Sequence, residues 1–332
     1  MTKMAKYLSP TDVWAVAFGC MIGWGVFVMP GTTYLPVGGP AGALASLALS
    51  AALMLVIGRN YSFLMERRPG TGGIYSYTKE AFGRDHAFVG SWFLSLSYLT
   101  IVFLNATALF IVGRIMFGSA MQAGIHYQIA GYEVYFSEIV LSAIVLVVTG
   151  VLFVYGKPIL QKLQQILGIV LAAGIVLLSI IILPHVDIGI VGEFAHDSSA
   201  NPAMSIVALS LLAPWAFVGF DIVSLETAHF RFDVKKSWRI IALAICMAGL
   251  AYMATTLMSI AFIPDGFSSW WSYLDATESL TGPTSVPSMY AALQAGGAIG
   301  LVVAAITAVA AILTGIIGGA RDGAHAVDHG RG

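Results

Sequence analysis

The chain has 332 residues, 58% of them hydrophobic and only 10% charged, with a net charge of −1 and mean hydropathy +0.86. A soluble domain carries about 25% charged residues, so this composition excludes a water-covered globular surface, and the neutral balance argues against a nucleic-acid partner. Cys20 and Cys246 lie in apolar runs far apart, which speaks against a disulfide framework or a cysteine metal site.

Lys3 and Lys6 precede an apolar stretch that continues to Pro30 without a small-x-small cleavage pattern, so it reads as an uncleaved first span. A membrane-crossing helix needs about 20 mostly apolar residues. Eight windows qualify: 12–36, 41–65, 86–117, 134–155, 159–183, 203–224, 238–263 and 288–319. The first contains Gly23, Gly25, Pro30 and Gly31, which weaken a helix by about 1 kcal/mol per glycine and about 3 kcal/mol for the proline. The third carries Asn105 mid-span, suited to a cavity or to a helix–helix hydrogen bond. Lys157 and Lys162 flank the fifth as anchors. The sixth brings Pro214, Gly219 and Asp221 close together, with Glu226 just beyond. The eighth holds Thr314, and a polar tail over 320–332 contains His325 and His329 four apart, a spacing that suits a metal pair but more simply a disordered tail.

Orientation follows from the basic residues beside the spans. With the N-terminus in the cytoplasm, fifteen of the sixteen Lys and Arg fall inside and only Arg114 outside. The outer loops at 184–202 and 264–287 then carry Asp187, Glu193, Asp197, Asp265, Asp275 and Glu278, with Trp270, Trp271 and Tyr273 as an interfacial belt.

Interrupted helix inside a bilayer must be buried in protein or line a cavity. Two interruptions five spans apart, around 23–31 and 213–221, match an inverted-repeat transporter whose half-helix N-termini offer free N–H groups to an anionic substrate group. Gly19-x-x-x-Gly23 as a packing pattern and Pro214 as a plain kink are the simpler alternatives. Asp221, a carboxylate within a span, is the residue expected to carry function. Trp24, Phe27, Trp215, Phe217 and Phe220 suggest a partly apolar pocket that suits a neutral amino acid or an organic cation.

Ile22-Gly23-Trp24-Gly25-Val26-Phe27 resembles the IGxGIF stretch in the first span of the amino acid–polyamine–organocation (APC) permeases. Pro69 to Tyr77 followed by Phe82-Gly83 resembles their P-x-x-GG-x-Y-x-Y segment, and Trp215-x-Phe217-x-Gly219-x-Asp221 the start of their sixth span. The resemblance runs from about Ser9 to Gly319 and implies an all-α polytopic membrane protein of the LeuT type. That fold has two inverted five-helix repeats, helices 1 and 6 broken, and a central site between spans 1, 3, 6 and 8. Residues 9–183 would form the first repeat, 203–319 part of the second and 320–332 the tail of one transporter domain. By position, the backbone of Ile22, Gly23, Trp24, Gly25 and Val26 would hold a substrate carboxylate, and that near Ala216, Phe217 and Gly219 the amino group. Trp215 would gate the site, Asp221 would serve proton coupling, and Glu226 the cytoplasmic gate, with Asn105 facing the site.

Three departures stand out. Glu226 lacks the second glutamate common in the family, and the fifth span carries no charge from Ile166 to Leu183. Spans 9 and 10 have no counterpart before the polar tail, so a truncated gene or a partner chain supplying the rest is expected. The expected function is secondary transport of amino acids or related amines across the cytoplasmic membrane, by proton-coupled alternating access. No cofactor is expected; the coupling ion is H+, with Na+ through hydroxyls such as Thr314 as the variant. Expected partners are the small substrate, the bilayer and, through self-association, a second copy. The competing reading is a sensor that binds substrate without moving it. An intramembrane enzyme ranks last, for want of His-Glu-x-x-His, Gly-x-Ser-x-Gly or an intramembrane His–Asp cluster.

Overall fold

A computed structural model describes residues 6–70, 72–129, 131–195 and 201–329, with side chains as far as Arg321. Lys3, Thr71, Asp197, Arg331 and the side chains of His325 and His329 therefore lie outside the described residues.

Span 1 opens with Pro10 after a capping box in which the Asp12 amide donates to Ser9 Oγ at 3.3 Å and the Ser9 amide to Asp12 Oδ2 at 2.8 Å. Asp12, an acid at the edge of an apolar run, is thus a helix cap. The helix Pro10–Ile22 stops at Gly23, whose φ of 47° ends regular helix, and resumes at Gly25–Met29. Pro30 and Gly31 do not add a second break: Pro30–Tyr34 forms a π turn that runs directly into Leu35–Arg67. Proline's missing N–H costs little where the hydrogen-bond register is changing. Gly39, at φ 64°, then turns the chain into span 2. So the apolar run from Gly25 to Arg67 holds the second half of span 1 and all of span 2.

Spans 3, 4, 5 and 7 are the helices Arg84–Phe117, Phe136–Tyr155, Lys157–Ile182 and Ser237–Met258. Among the described residues seven helices are long and apolar enough to cross a membrane, and the two halves of span 1 make the eighth crossing. Span 6 runs as α-helix over Pro202–Leu212, tightens to a 3-10 turn at Ala213–Phe217, breaks at Val218 and Gly219, and continues as Phe220–His229. The break lies at Gly219 rather than Pro214, which sits at the start of the 3-10 turn where its missing N–H is harmless. Span 8 lies in the helix Pro287–His329, which opens one residue before the window 288–319, bends at Gly297 (φ 60°) and continues into the polar tail.

Between spans 3 and 4 lies an unforeseen hairpin, β1 (His126–Ile129) and β2 (Tyr132–Tyr135). Arg114, the lone basic residue at that end of the bundle, is neutralised there by both oxygens of Glu138 at 2.5 and 2.8 Å.

Span 1 is gripped by spans 5, 6 and 8 through glycines. A Cβ at Gly168 would meet Ala15 at 3.1 Å, one at Gly19 would meet Thr314 at 2.8 Å, and one at Gly318 would meet Cys20 Sγ at 2.7 Å. Without a hydrophobic drive between helices in lipid, such close backbone approach is what holds them.

Candidate functional site

Both breaks meet at the junction of spans 1, 3, 6 and 8. The interruption at Gly23 exposes backbone groups that a bilayer cannot satisfy, and the protein caps two of them. The Trp24 N–H donates to Asn105 Oδ1 at 3.0 Å, and the Tyr252 hydroxyl donates to the Ile22 carbonyl at 3.1 Å. Asn105 is locked in turn, its Nδ2 donating to the Ile101 carbonyl at 2.9 Å. Gly315 leaves room for it, since a Cβ there would lie 2.8 Å from Asn105 Nδ2. Asn105→Ala strips the Trp24 amide of its acceptor, and the expected cost is about 1–3 kcal/mol, read as a lower melting temperature of the purified protein.

Gln164 of span 5 closes the back of this junction, with Nε2 3.4 Å from the Ala15 carbonyl and 3.5 Å from the Thr314 carbonyl. The Thr314 hydroxyl is bonded to its own helix, to the Ala310 and Ala311 carbonyls, both at 2.9 Å.

Asp221 follows the second break. Tyr98 of span 3 donates its hydroxyl to Asp221 Oδ1 at 2.6 Å. Tyr98 precedes Asn105 by two helical turns, so one buried face of span 3 serves both breaks. Asp221 also lines a cavity of about 730 Å³. Its walls come from span 1 (Met29, Thr33), span 2 (Met54, Ile57, Tyr61) and span 6 (Leu211 to Asp221, in part). Span 2 residues wall this cavity, and none of its lining residues comes from spans 3 or 8. Of the residues singled out from sequence, Trp215, Phe217 and Asp221 line this cavity. Ile22, Gly23, Trp24, Gly25, Val26, Asn105, Ala216 and Gly219 do not; Val26, Ala216 and Phe217 are fully buried.

Glu226 lies at the basic end of the bundle. Its Oε1 faces Arg321 Nη1 of span 8 at 3.3 Å and its Oε2 faces His229 Nδ1 at 3.0 Å. The chain before span 1 is laced over this cluster: the Tyr7 and Leu8 amides donate to the His229 carbonyl at 2.9 and 3.0 Å, and the Arg231 amide to the Leu8 carbonyl at 2.9 Å. Thr227 Oγ1 accepts from the Gly70 amide at 2.7 Å, pinning the segment between spans 2 and 3 as well. Arg321 and Glu226 expose only 7% and 9% of their side chains. Glu226→Ala therefore leaves a buried guanidinium without its counter-charge, a loss of about 3–5 kcal/mol. Pairing it with Arg321→Leu should recover much of that loss, and thermal melting of the three proteins checks both.

Sequence reasoning missed Tyr98, Tyr252, Arg321 and His229. Tyr98 was legible as a polar group seven residues before Asn105. His229 was legible as the i,i+3 neighbour of Glu226; for Tyr252 and Arg321 the pairing is long-range and carries no local signature.

The amino acid permease family model matches residues 8–330. Cationic amino acid transporter 4 of mouse is 25% identical over 292 residues, covering 84% of this chain and 43% of that protein. The methylthioribose transporter of Bacillus subtilis is 26% identical over 271 residues, 79% of this chain and 56% of that protein. A branched-chain amino acid permease of the same organism is 22% identical over 273 residues, with the same coverage of 79% and 56%. The chain thus spans about half the length of these relatives. A solved Na+-coupled sialic acid symporter, in a substrate-bound outward-open state, superposes with a TM-score of 0.63 at 15% identity, over 98% of this chain and 67% of that one. The fold is accordingly of the LeuT type, with its first and sixth helices broken, and the chain belongs to the amino acid permease family of membrane transporters.

Proposed function

We propose that this chain carries amino acids or related amines across the cytoplasmic membrane by proton-coupled alternating access, with its N-terminus inside. The observation that carries the reading is the meeting of two mid-span breaks beside Asp221, at the edge of a cavity of about 730 Å³. Asp221 is the proton site. A carboxylate held within a span by hydrogen bonds alone, the Tyr98 hydroxyl among them, is a group that can take up and release a proton as its surroundings change. Trp215, 45% exposed at the cavity wall, closes over the substrate. Spans 1 and 6 rock against the rest, and the lacing of residues 7–8 to 229–231 with the Glu226–Arg321 pair forms the cytoplasmic closure that must open for release.

The test is uptake of a pool of labelled amino acids and amines into proteoliposomes, with and without an imposed proton gradient and with sodium replaced by potassium. Proton-driven uptake above that of protein-free vesicles is the expected result. Uptake that follows a sodium gradient alone removes Asp221 from the coupling step. Retained binding with no uptake under any gradient removes the carrier reading.

A further inference from the structure

We propose that the cavity beside Asp221 selects a monocationic amine with a bulky apolar body over a zwitterionic amino acid, and that amine and proton occupy its single carboxylate in turn. The binding half stands on the cavity alone; the exchange half rests on the carrier reading above.

At about 730 Å³ the cavity is the size of a small-molecule site. Its body is apolar, with Met54 and Ile57 on one side and the rings of Trp215, Phe217 and Phe220 on the other. Thr33 and Tyr61 add hydroxyls, and among the described residues Asp221 is the only charged one lining it. A carboxylate buried without a donor or counter-charge is strongly disfavoured, and a zwitterion brings one. No Lys, Arg or His lines these walls. Helix-end N–H groups exist at the span 1 break, but residues 22–26 do not line the cavity, and the Trp24 amide is already given to Asn105. The positive pole of a ligand thus finds a carboxylate and aromatic faces, while a negative pole finds hydroxyl donors but, among the described residues, no cation.

The same inventory decides the coupling. Titratable groups facing this stretch of span 6 are Tyr98 on span 3, Tyr61 on span 2 and Cys20 on span 1. Tyr252 on span 7 is committed to the Ile22 carbonyl, and the Glu226–Arg321 pair lies further toward the basic end. Tyr98 holds Asp221 through Oδ1, and among the described residues no second carboxylate lines the cavity. An ammonium group binds when Asp221 is ionised and leaves when a proton takes its place. One proton crosses in one direction for each monovalent amine in the other, and no net charge moves.

The test compares equilibrium binding of labelled 2-phenylethylamine and phenylalanine, which share a body and differ by the carboxylate, to the purified full chain across a range of pH. The amine should bind at least about tenfold tighter, a difference worth about 1.4 kcal/mol. Its apparent affinity should fall about tenfold per pH unit on the acid side, as expected for competition with one proton. Asp221→Asn should remove the amine affinity and Asp221→Glu should keep the preference. Equal or tighter binding of phenylalanine, pH-independent amine binding, or binding of neither compound overturns the proposal, and the wild-type comparison decides this even where a variant fails to fold. Amine binding with no uptake would sink the carrier reading and leave the selectivity standing. Proton-driven phenylalanine uptake without amine binding would do the reverse.

Discussion

Asp221→Asn should abolish proton-driven accumulation of substrate. The amide has nearly the same shape and still accepts the Tyr98 hydroxyl, which now donates to Asp221 Oδ1 at 2.6 Å. It can neither take up a proton nor carry a charge. A transported substrate exchanging one proton per turn is accumulated about tenfold per unit of pH gradient, so two units sustain about a hundredfold in the wild type. The variant should show none, after subtraction of protein-free vesicles loaded in the same way. Its melting temperature should not fall, because a neutral amide costs less to bury in a span than a carboxylate. Full proton-driven accumulation by the variant would place coupling elsewhere, with Glu226 and His229 the next groups to test.

Gly219→Ala should be the most damaging single-methyl change at the breaks. Gly219 has φ 127°, a conformation that costs an L-residue about 1–3 kcal/mol. The added Cβ would also stand 2.8 Å from Cys20 Cβ and Sγ and 2.9 Å from the Cys20 carbonyl carbon. That last neighbour is backbone of span 1, itself wedged against Gly318 of span 8, so it has nowhere to retreat. Overpacking adds about 1–3 kcal/mol, and the sum, about 2–6 kcal/mol, should appear as poor yield or a sharply lower melting temperature. Gly297→Ala is the matched control: it shares a positive φ, 60°, but its Cβ would meet nothing within 4 Å. It should lose only the strain part. Equal losses in the two variants would mean that the break in span 6 is not seated on span 1.

The period and length of the apolar runs made the spans legible, because a bilayer accepts little besides helices long enough to cross it. Gly23 and the Pro214-to-Asp221 stretch betrayed the two breaks for the same reason: glycine and proline within a span are tolerated only where something else satisfies the backbone. Which residue does the breaking was less legible. Glycine and proline stood together at both breaks; Pro30 and Pro214 sit at the start of a turn where a missing N–H is cheap, and the chain is bent at Gly23 and Gly219. The hairpin after span 3 escaped notice because its strands are only four residues each.

Alone, the sequence determined that this is a multi-span helical membrane protein of the permease type, with breaks in spans 1 and 6 and a carboxylate beside the second. Those properties depend on composition and local backbone preference, which are written residue by residue. Only the tertiary structure decided that Asn105 and Tyr252 cap the first break, that Tyr98 holds Asp221, that Arg321 answers Glu226, and that a cavity beside Asp221 is walled by spans 1, 2 and 6. Each of those pairs joins residues many positions apart, and which partner a buried polar group finds is set by how the helices cross, through glycine contacts that no window of sequence can display.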